Sequence, residues 1–375
     1  MSDQVVFRPF NNGDEEKITL LLDIAFDGWP GLDLDCTSLD HWFWKFRAPA
    51  ENKNTVVVAE SPDGEIIGVN QAQLKNTKIG NEVVQARKTT EVAVHPEYRG
   101  KGVHRRLALM GVDYSKSSGA VFSYSLSTSP IIVNYKQRES EYYEFPQPIK
   151  QLVKIESIPR FSDYWKEHKK TSAREILFIK SGLYITKFLN RLTRIFKKRS
   201  KPETGFQIKL VSRFDEKIQP FWEKIKNDYD FILEKSVEHL NWRYCDPRGG
   251  SYKVFTAEED GELLGYIVIC VTWRYPEHPV GYIMELLVLT GRDNVAEALV
   301  RHAEKYFTDK EVNAIYFTVV SRHPYEKLLG KYGFIDSRRR PLIYYRVYKD
   351  IESLEEFKNS SPERLHYQFG EFDSI

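Results

Sequence analysis

A chain of 375 residues exceeds the roughly 100 to 200 residues that one core usually organises, so two domains are expected. With 41% hydrophobic and 29% charged residues the sequence is globular and not disordered. Its 55 basic and 53 acidic side chains nearly cancel to a formal charge of +2, which excludes a global electrostatic attraction to nucleic acid or membrane.

The first residues, MSDQVVFRPFNNGDEE, lack the basic, apolar and small-residue succession of a signal peptide, and no run of roughly 18 apolar residues follows anywhere. Cys36, Cys245 and Cys270 are far apart and lack CxxC spacing, so they read as reduced thiols and the expected location is cytoplasmic.

Val5 to Pro9 reads as a strand, and Asp14 to Phe26 as a helix with Ile18, Leu21, Leu22 and Ala25 on one face. Ser38 is placed to cap a second helix. Thr55 to Glu60 and Ile66 to Leu74 flank Asp63-Gly64, the composition of a tight hairpin. Lys88 to Val94 continues as a strand, Gly102 to about Ser117 as a helix with Val103, Leu107, Met110 and Tyr114 along its apolar face, and Phe122 to Leu126 as a strand.

The order then recurs. Ser38-Leu-Asp-His-Trp-Phe-Trp-Lys-Phe46 matches Ser236-Val-Glu-His-Leu-Asn-Trp-Arg-Tyr244, and Ala59 to Gly68 matches Ala257 to Gly265. Glu91-Val-Ala-Val94 pairs with Glu285-Leu-Leu-Val288, and Ser127-Thr-Ser-Pro130 with Ser321-Arg-His-Pro324. Chance similarity rarely preserves such an order. The fold class is therefore α/β (α+β), with two mixed-sheet domains in tandem over 1–158 and 205–375, joined by a basic helical connector over 159–204. That connector carries an excess of about ten positive charges. It is read as an interdomain helix with a solvated face, and peripheral membrane contact through 176–201 is the lesser reading.

Chemistry concentrates in Val94-His-Pro-Glu-Tyr-Arg-Gly-Lys-Gly-Val-His104, which runs from a strand through a basic loop into a helix. The first N–H groups of a helix have no intrahelical partner and the dipole is positive there, so this geometry suits a pyrophosphate. Gly100 and Gly102 permit close approach, and Arg99 and Lys101 add charge. The segment V-x-P-x-Y-R-G-x-G resembles the acetyl-coenzyme-A motif of the GNAT acetyltransferases, with Arg99 and Gly102 in the first two fixed places. His104 stands where that family has a small residue.

The resemblance covers roughly residues 5 to 145, with a weaker copy over roughly 206 to 347. It implies acetyl-CoA as cosubstrate, its pantetheine arm paired to Val92, Ala93 and Val94 and its phosphates held by Arg99, Gly100, Lys101, Gly102, Val103 and His104. It also implies Ser127 at the end of the next strand and Tyr135 as general acid for the departing thiolate, with Glu91 the nearest candidate base. In the second copy only Gly291 of the loop remains, Asp293 brings negative charge as a prospective helix cap, and Leu329 replaces Tyr135.

The expected function is acetyl-CoA-dependent N-acetylation of a small-molecule primary amine, in a cleft that the second copy helps to shape. An aminoacyl-tRNA-dependent transferase of the tandem type and a non-catalytic acyl-CoA-binding sensor or scaffold are the alternatives.

Overall fold

The computed structural model describes residues 5–31, 33–48, 54–127, 133–134, 136–137, 141–169 and 205–372. Tyr135 and most of the connector, including 176–201, lie outside the described residues. The first copy comprises β1 (Val6–Pro9), α1 (Glu15–Phe26), α2 (Ser38–Arg47), β2 (Thr55–Glu60), β3 (Ile66–Ile79), β4 (Glu82–Val94), α3 (Val103–Ser117), β5 (Phe122–Ser127), β6 (Tyr143–Glu144), β7 (Ile149–Ile155) and α4 (Ile158–Lys169). The second comprises β8 (Gln207–Val211), α5 (Ile218–Ile225), β9 (Phe231–Leu233), α6 (Val237–Tyr244), β10 (Tyr252–Glu259), β11 (Glu262–Thr272), β12 (Val280–Val288), α7 (Asp293–Asp309), β13 (Ala314–Val320), α8 (Pro324–Lys331), β14 (Ile335–Asp336), β15 (Leu342–Val347) and α9 (Leu354–Lys358).

The class is mixed α/β, as the element order implies, with two mixed sheets. One runs β1-β2-β3-β4-β5-β15-β6, with β9 against the far end of β3, and the other runs β14-β7-β13-β12-β11-β10-β8. Each copy lends a strand to its neighbour. β7 closes the first copy along the chain but pairs antiparallel to β13, and β15 closes the second copy but pairs antiparallel to β5. The two sheets are thus interlocked by exchange. An exchanged strand leaves no long central edge open, and neither sheet is complete from one copy.

The largest apolar cluster accordingly spans both copies, joining Phe122, Tyr124 and Phe145 to Phe221, Phe231, Tyr266, Phe357 and Tyr367. Smaller clusters seat α1 and α2 on one face of the first sheet through Ile18, Leu22 and Trp42, and α3 on the other through Val103 and Leu107. Val295, Leu299, Val300, Ala303 and Phe307 seat α7 on the second sheet.

Three local expectations change. Thr37, not Ser38, caps α2, in a capping box with Asp40. Asp293 is the first residue of α7, and Arg292 holds the cap position. On α3, Tyr114 is exposed, and the buried stripe turns instead through Gly111 to Ser115, whose hydroxyl accepts from Arg87 Nε at 2.9 Å.

Candidate active site

β4 is the element on which the site is built. Its pairing with β3 continues to Val94, with two residues, Thr90 and Glu91, bulging opposite Gln71. Its parallel pairing with β5 covers only Ala86 to Lys88, although both strands continue. From Thr89 onward β4 and β5 part from each other, so among the described residues the β5-facing backbone of Val92, Ala93 and Val94 is an open edge of the kind an extended ligand adds to.

The loop after Val94 is held by its own side chains. His95 accepts from Glu97 N at 3.4 Å, and Arg99 donates to Val94 O at 3.1 Å and to Ala25 O at 3.4 Å, tying the loop to the end of α1. Gly100 and Gly102 have φ of +77° and +80°, in the left-handed region, and a Cβ on either would meet nothing within 4 Å. Glycine is required here by the backbone, and the space beyond it is open.

Gly102 is also the N-cap of α3 and has no side chain with which to satisfy the first turn. That turn contains no acid and carries Arg105 and Arg106. Cations at a helix start oppose the dipole, so this end is electrostatically incomplete without an anion. The Arg106 guanidinium lies 4.0 Å from the Phe7 ring centre, and the Lys101 ammonium 4.9 Å from that of Tyr98.

Together these elements enclose a cavity of about 500 Å³. Val92, Ala93, Val94, Arg99, Gly100, Gly102, Val103 and His104 line it, so eight of the sequence-predicted residues converge on one space. Lys101 and Ser127 do not line it, and Ala25, Phe26, Tyr98 and Arg105 are lining residues that the loop pattern alone does not reveal. Phe26 and Ala25 come from the end of α1, distant in sequence, and no local signal marks them.

Ser127 lies buried at the end of β5 and accepts from Lys136 Nζ at 2.8 Å, while Ser125 accepts from the same ammonium at 2.6 Å. Burial, with Arg87 nearby, pushes the Lys136 ammonium down to about 8. Below pH 8 the folded and unfolded chains both hold this proton, so the burial cost, about 3 kcal/mol, is fully present. Between pH 8 and the ordinary lysine value near 10.5 the unfolded chain holds the proton more tightly, and stability rises with pH. Lys136→Met should therefore melt higher than wild type at pH 7, with an advantage that shrinks as the pH is raised through this window. An advantage that grew with pH would contradict the assignment.

Glu91 sits in the bulge. Its Oε1 accepts from Lys45 Nζ and, at 3.4 Å, from Trp29 Nε1, while its buried Oε2 has no hydrogen-bond partner among the described residues.

The second copy repeats this frame and fills it. β12 pairs with β13 only from Val280 to Ile283 and then continues to Val288 paired to β11 alone. Its open backbone is taken by the chain itself: Leu286 N donates to Gln368 Oε1 at 2.7 Å, and Gln368 Nε2 donates back to Leu286 O at 3.0 Å. Val288 N donates to the Tyr325 hydroxyl at 3.2 Å. At the start of α7, Asp293 supplies the acid that α3 lacks, and Arg292 is held by Glu259 at 3.0 Å.

Comparison with known proteins finds a GNAT domain in each copy. Residues 6–138 match the family described as Acetyltransferase (GNAT) domain, and residues 212–334 match the Acetyltransferase (GNAT) family. No curated protein matches the sequence. Among solved structures, a probable N-acyltransferase from Enterococcus faecalis V583 is 12% identical with a TM-score of 0.61, covering 94% of this chain and 74% of that one. A tandem GNAT protein from the clavulanic acid biosynthesis pathway is 14% identical with a TM-score of 0.54, covering 93% and 100%. The N-myristoyltransferase of Saccharomyces cerevisiae, with bound myristoyl-CoA, is 10% identical with a TM-score of 0.58, covering 100% and 86%. At such identities the likeness concerns the fold.

Proposed function

The chain consists of two GNAT domains in tandem and is an acyltransferase, and from that premise we propose that its first copy moves the acetyl group of acetyl-CoA to a small-molecule primary amine. The observation that carries this reading is the 500 Å³ cavity in which the open edge of β4 meets the uncapped, acid-free start of α3. A pyrophosphate fits the helix start, and a pantetheine arm running back from it along Val94, Ala93 and Val92 brings the thioester toward Glu91. The second copy, whose corresponding edge is occupied by Gln368 and Tyr325, binds no coenzyme in this reading and shapes the acceptor side. One coenzyme per chain is the expected stoichiometry.

In the reaction the neutral amine attacks the thioester carbonyl, the C–N bond forms and the C–S bond breaks. The amine proton passes to an acceptor such as Glu91 Oε2, and the departing thiolate takes a proton from Tyr135. Coenzyme A and the amide leave with no net change in oxidation state. Acetyl is the acyl group that the family resemblance of the Arg99 to His104 loop implies, and parallel titration with acetyl-CoA and myristoyl-CoA tests it against a longer one.

Tyr135→Phe tests the chemistry. Turnover should fall roughly a hundredfold with coenzyme affinity almost unaltered, because general-acid help acts in the transition state. Thiol release and calorimetric binding measured on one preparation report both constants. Wild-type turnover would remove Tyr135 from the acid role, and binding without thiol release from any amine would make the protein a sensor.

A further inference from the structure

Beyond the point where β4 and β5 part, β5 presents two serines to a buried ammonium. Lys136 Nζ donates to Ser125 Oγ at 2.6 Å and to Ser127 Oγ at 2.8 Å, and the lysine is only 8% exposed. Each serine oxygen is engaged as an acceptor, so each hydroxyl hydrogen is left to donate. No described residue accepts from either.

The ammonium has no carboxylate partner among the described residues. Facing it are Arg87 on β4, the Tyr344 ring on β15 at 5.5 Å and the Tyr142 ring at 5.6 Å. Arg87 donates to Ser115, Thr89 and Asn70, all neutral. Of the acids nearby, Glu141 is taken by Arg346 and Glu144 stands opposite Tyr344 on β6. Ring faces and hydroxyl oxygens offset part of the cost of burying an ammonium, and a negative charge that develops beside it would offset more.

The place of this cluster ties it to the coenzyme. The last rung between the two strands pairs Lys88 with Tyr124, and the same register carried onward sets Ser127 level with Glu91, across the gap on which the backbone of β4 is open. Arg87 reaches Ser115 of α3, and its partner in the register, Ser123, begins the row Ser123, Ser125, Ser127. Side chains alternate along a strand, so these serines share the face on which α3 lies. A pantetheine arm laid from the start of α3 along Val94, Ala93 and Val92 therefore arrives between Glu91 and Ser127.

We propose that Lys136, acting through the Ser127 hydroxyl, is a positioning residue that holds the charge of the departing thiolate. The inference rests on the acyl-transfer reading above. As the C–S bond breaks its electron pair goes to sulfur, and the Ser127 O–H, turned away from Lys136 by the bond it accepts, donates to that sulfur. The ammonium keeps its own proton and supplies the charge, and the sulfur then takes its proton from Tyr135 as above. Before attack the thioester sulfur is uncharged and gains little from the cation, so the interaction acts in the transition state.

Free coenzyme A bound to the protein tests this without turnover. Its thiolate absorbance, followed against pH, should show a thiol that titrates at least ~1 pH unit lower than in solution, since a nearby cation favours the charged form. Lys136→Met should return the bound thiol to its solution value, and Lys136→Arg should keep it low. Ser127→Ala, which leaves the ammonium in place, should act as Lys136→Met does and serves if that variant does not fold. In the acetylation assay Lys136→Met should lower kcat at least ~10-fold at unchanged KM for acetyl-CoA, with Lys136→Arg recovering most of the loss. Wild-type turnover should also decline as the pH passes about 8, where Lys136 gives up its charge, and Lys136→Met should lack that decline. A bound thiol with its solution value in the wild-type protein overturns the inference and leaves the reaction standing. A lowered thiol with no thiol release from any amine overturns the reaction and leaves the thiolate site. A thiol that stays low in both Lys136→Met and Ser127→Ala assigns the effect elsewhere and overturns the inference, and failure to bind coenzyme A overturns both.

Discussion

Gly102→Glu should give a folded protein whose affinity for acetyl-CoA is weaker by at least ~100-fold. The backbone at Gly102 has φ of +80° and a Cβ there meets nothing within 4 Å, so the substitution strains the backbone without a clash. That strain is worth about 1–2 kcal/mol, small beside what the carboxylate does to the ligand. The added side chain projects into the space at the start of α3 where the phosphates belong. A carboxylate about 4 Å from a phosphate oxygen costs on the order of 4 kcal/mol at the effective dielectric near a protein surface, well beyond a hundredfold in affinity.

Gly102→Ala separates the two effects, since it carries the strain without the charge and should lose less than ~10-fold. The second copy supplies a further control. Gly291 has φ of +81° and equally open surroundings, so Gly291→Glu imposes the same strain at the corresponding loop and should leave coenzyme affinity unchanged. Calorimetric titration of the three variants, with circular dichroism to confirm folding, reads the outcome. Equal losses from the Gly102 and Gly291 variants would place a coenzyme in both copies.

The loop was legible in the sequence because its physics is local: strand, glycine pair, cations and helix start are contiguous from Val94 to His104, and the cavity gathers most of them. The repeat likewise announced two similar units. What stayed hidden depends on partners far away in the chain. The hairpin of β3 and β4 reaches back through Lys75, Lys78, Arg87 and Lys88, all buried, and cations at such positions read as the end of a strand facing water. The exchange of β7 and β15 leaves no mark at all, since Ile149–Ile155 and Leu342–Val347 each bury three consecutive residues and nothing in them says which sheet they join. Gln368 is equally silent: a lone glutamine near the end of the sequence carries no sign that it holds Leu286 from both sides. Lys136 carries no sequence signal beside Tyr135, because burial and not sequence pattern makes a lysine unusual.

Acidification between pH 6.5 and 4 should unfold the protein through its buried histidines. His41 and His323 are held down to about 4 and His366 to about 3, in each case chiefly by burial, with Lys45 adding to it at His41 and Lys235 at His366. Each is therefore neutral in the folded chain at pH 5, while in the unfolded chain, near the ordinary value of 6.5, it is protonated. The unfolded state binds more protons across this window, so stability is full above pH 6.5 and falls as the pH drops toward the folded values. Each group costs about 3 kcal/mol by the time the window is crossed, and three together reach the whole net stability of an ordinary domain, about 5–15 kcal/mol. Carboxylates with lowered values, such as Glu285 and Asp230, begin to act only as the pH falls to the ordinary carboxylate range, about 5, so the upper part of the window reports histidine alone. His239, wholly buried and held well below its usual range, chiefly by burial, adds a fourth group, so urea unfolding at pH 7, 6 and 5 should show a slope approaching about 5 kcal/mol per pH unit at the acid end. His323→Asn isolates one contribution. His323 caps α8, its Nδ1 accepting from Tyr325 N at 3.1 Å, and asparagine can accept the same bond without titrating. That variant should lose about a quarter of the slope while matching wild type at pH 7 within about 1 kcal/mol. An unchanged slope would mean that His323 is already protonated, or already neutral, in both states.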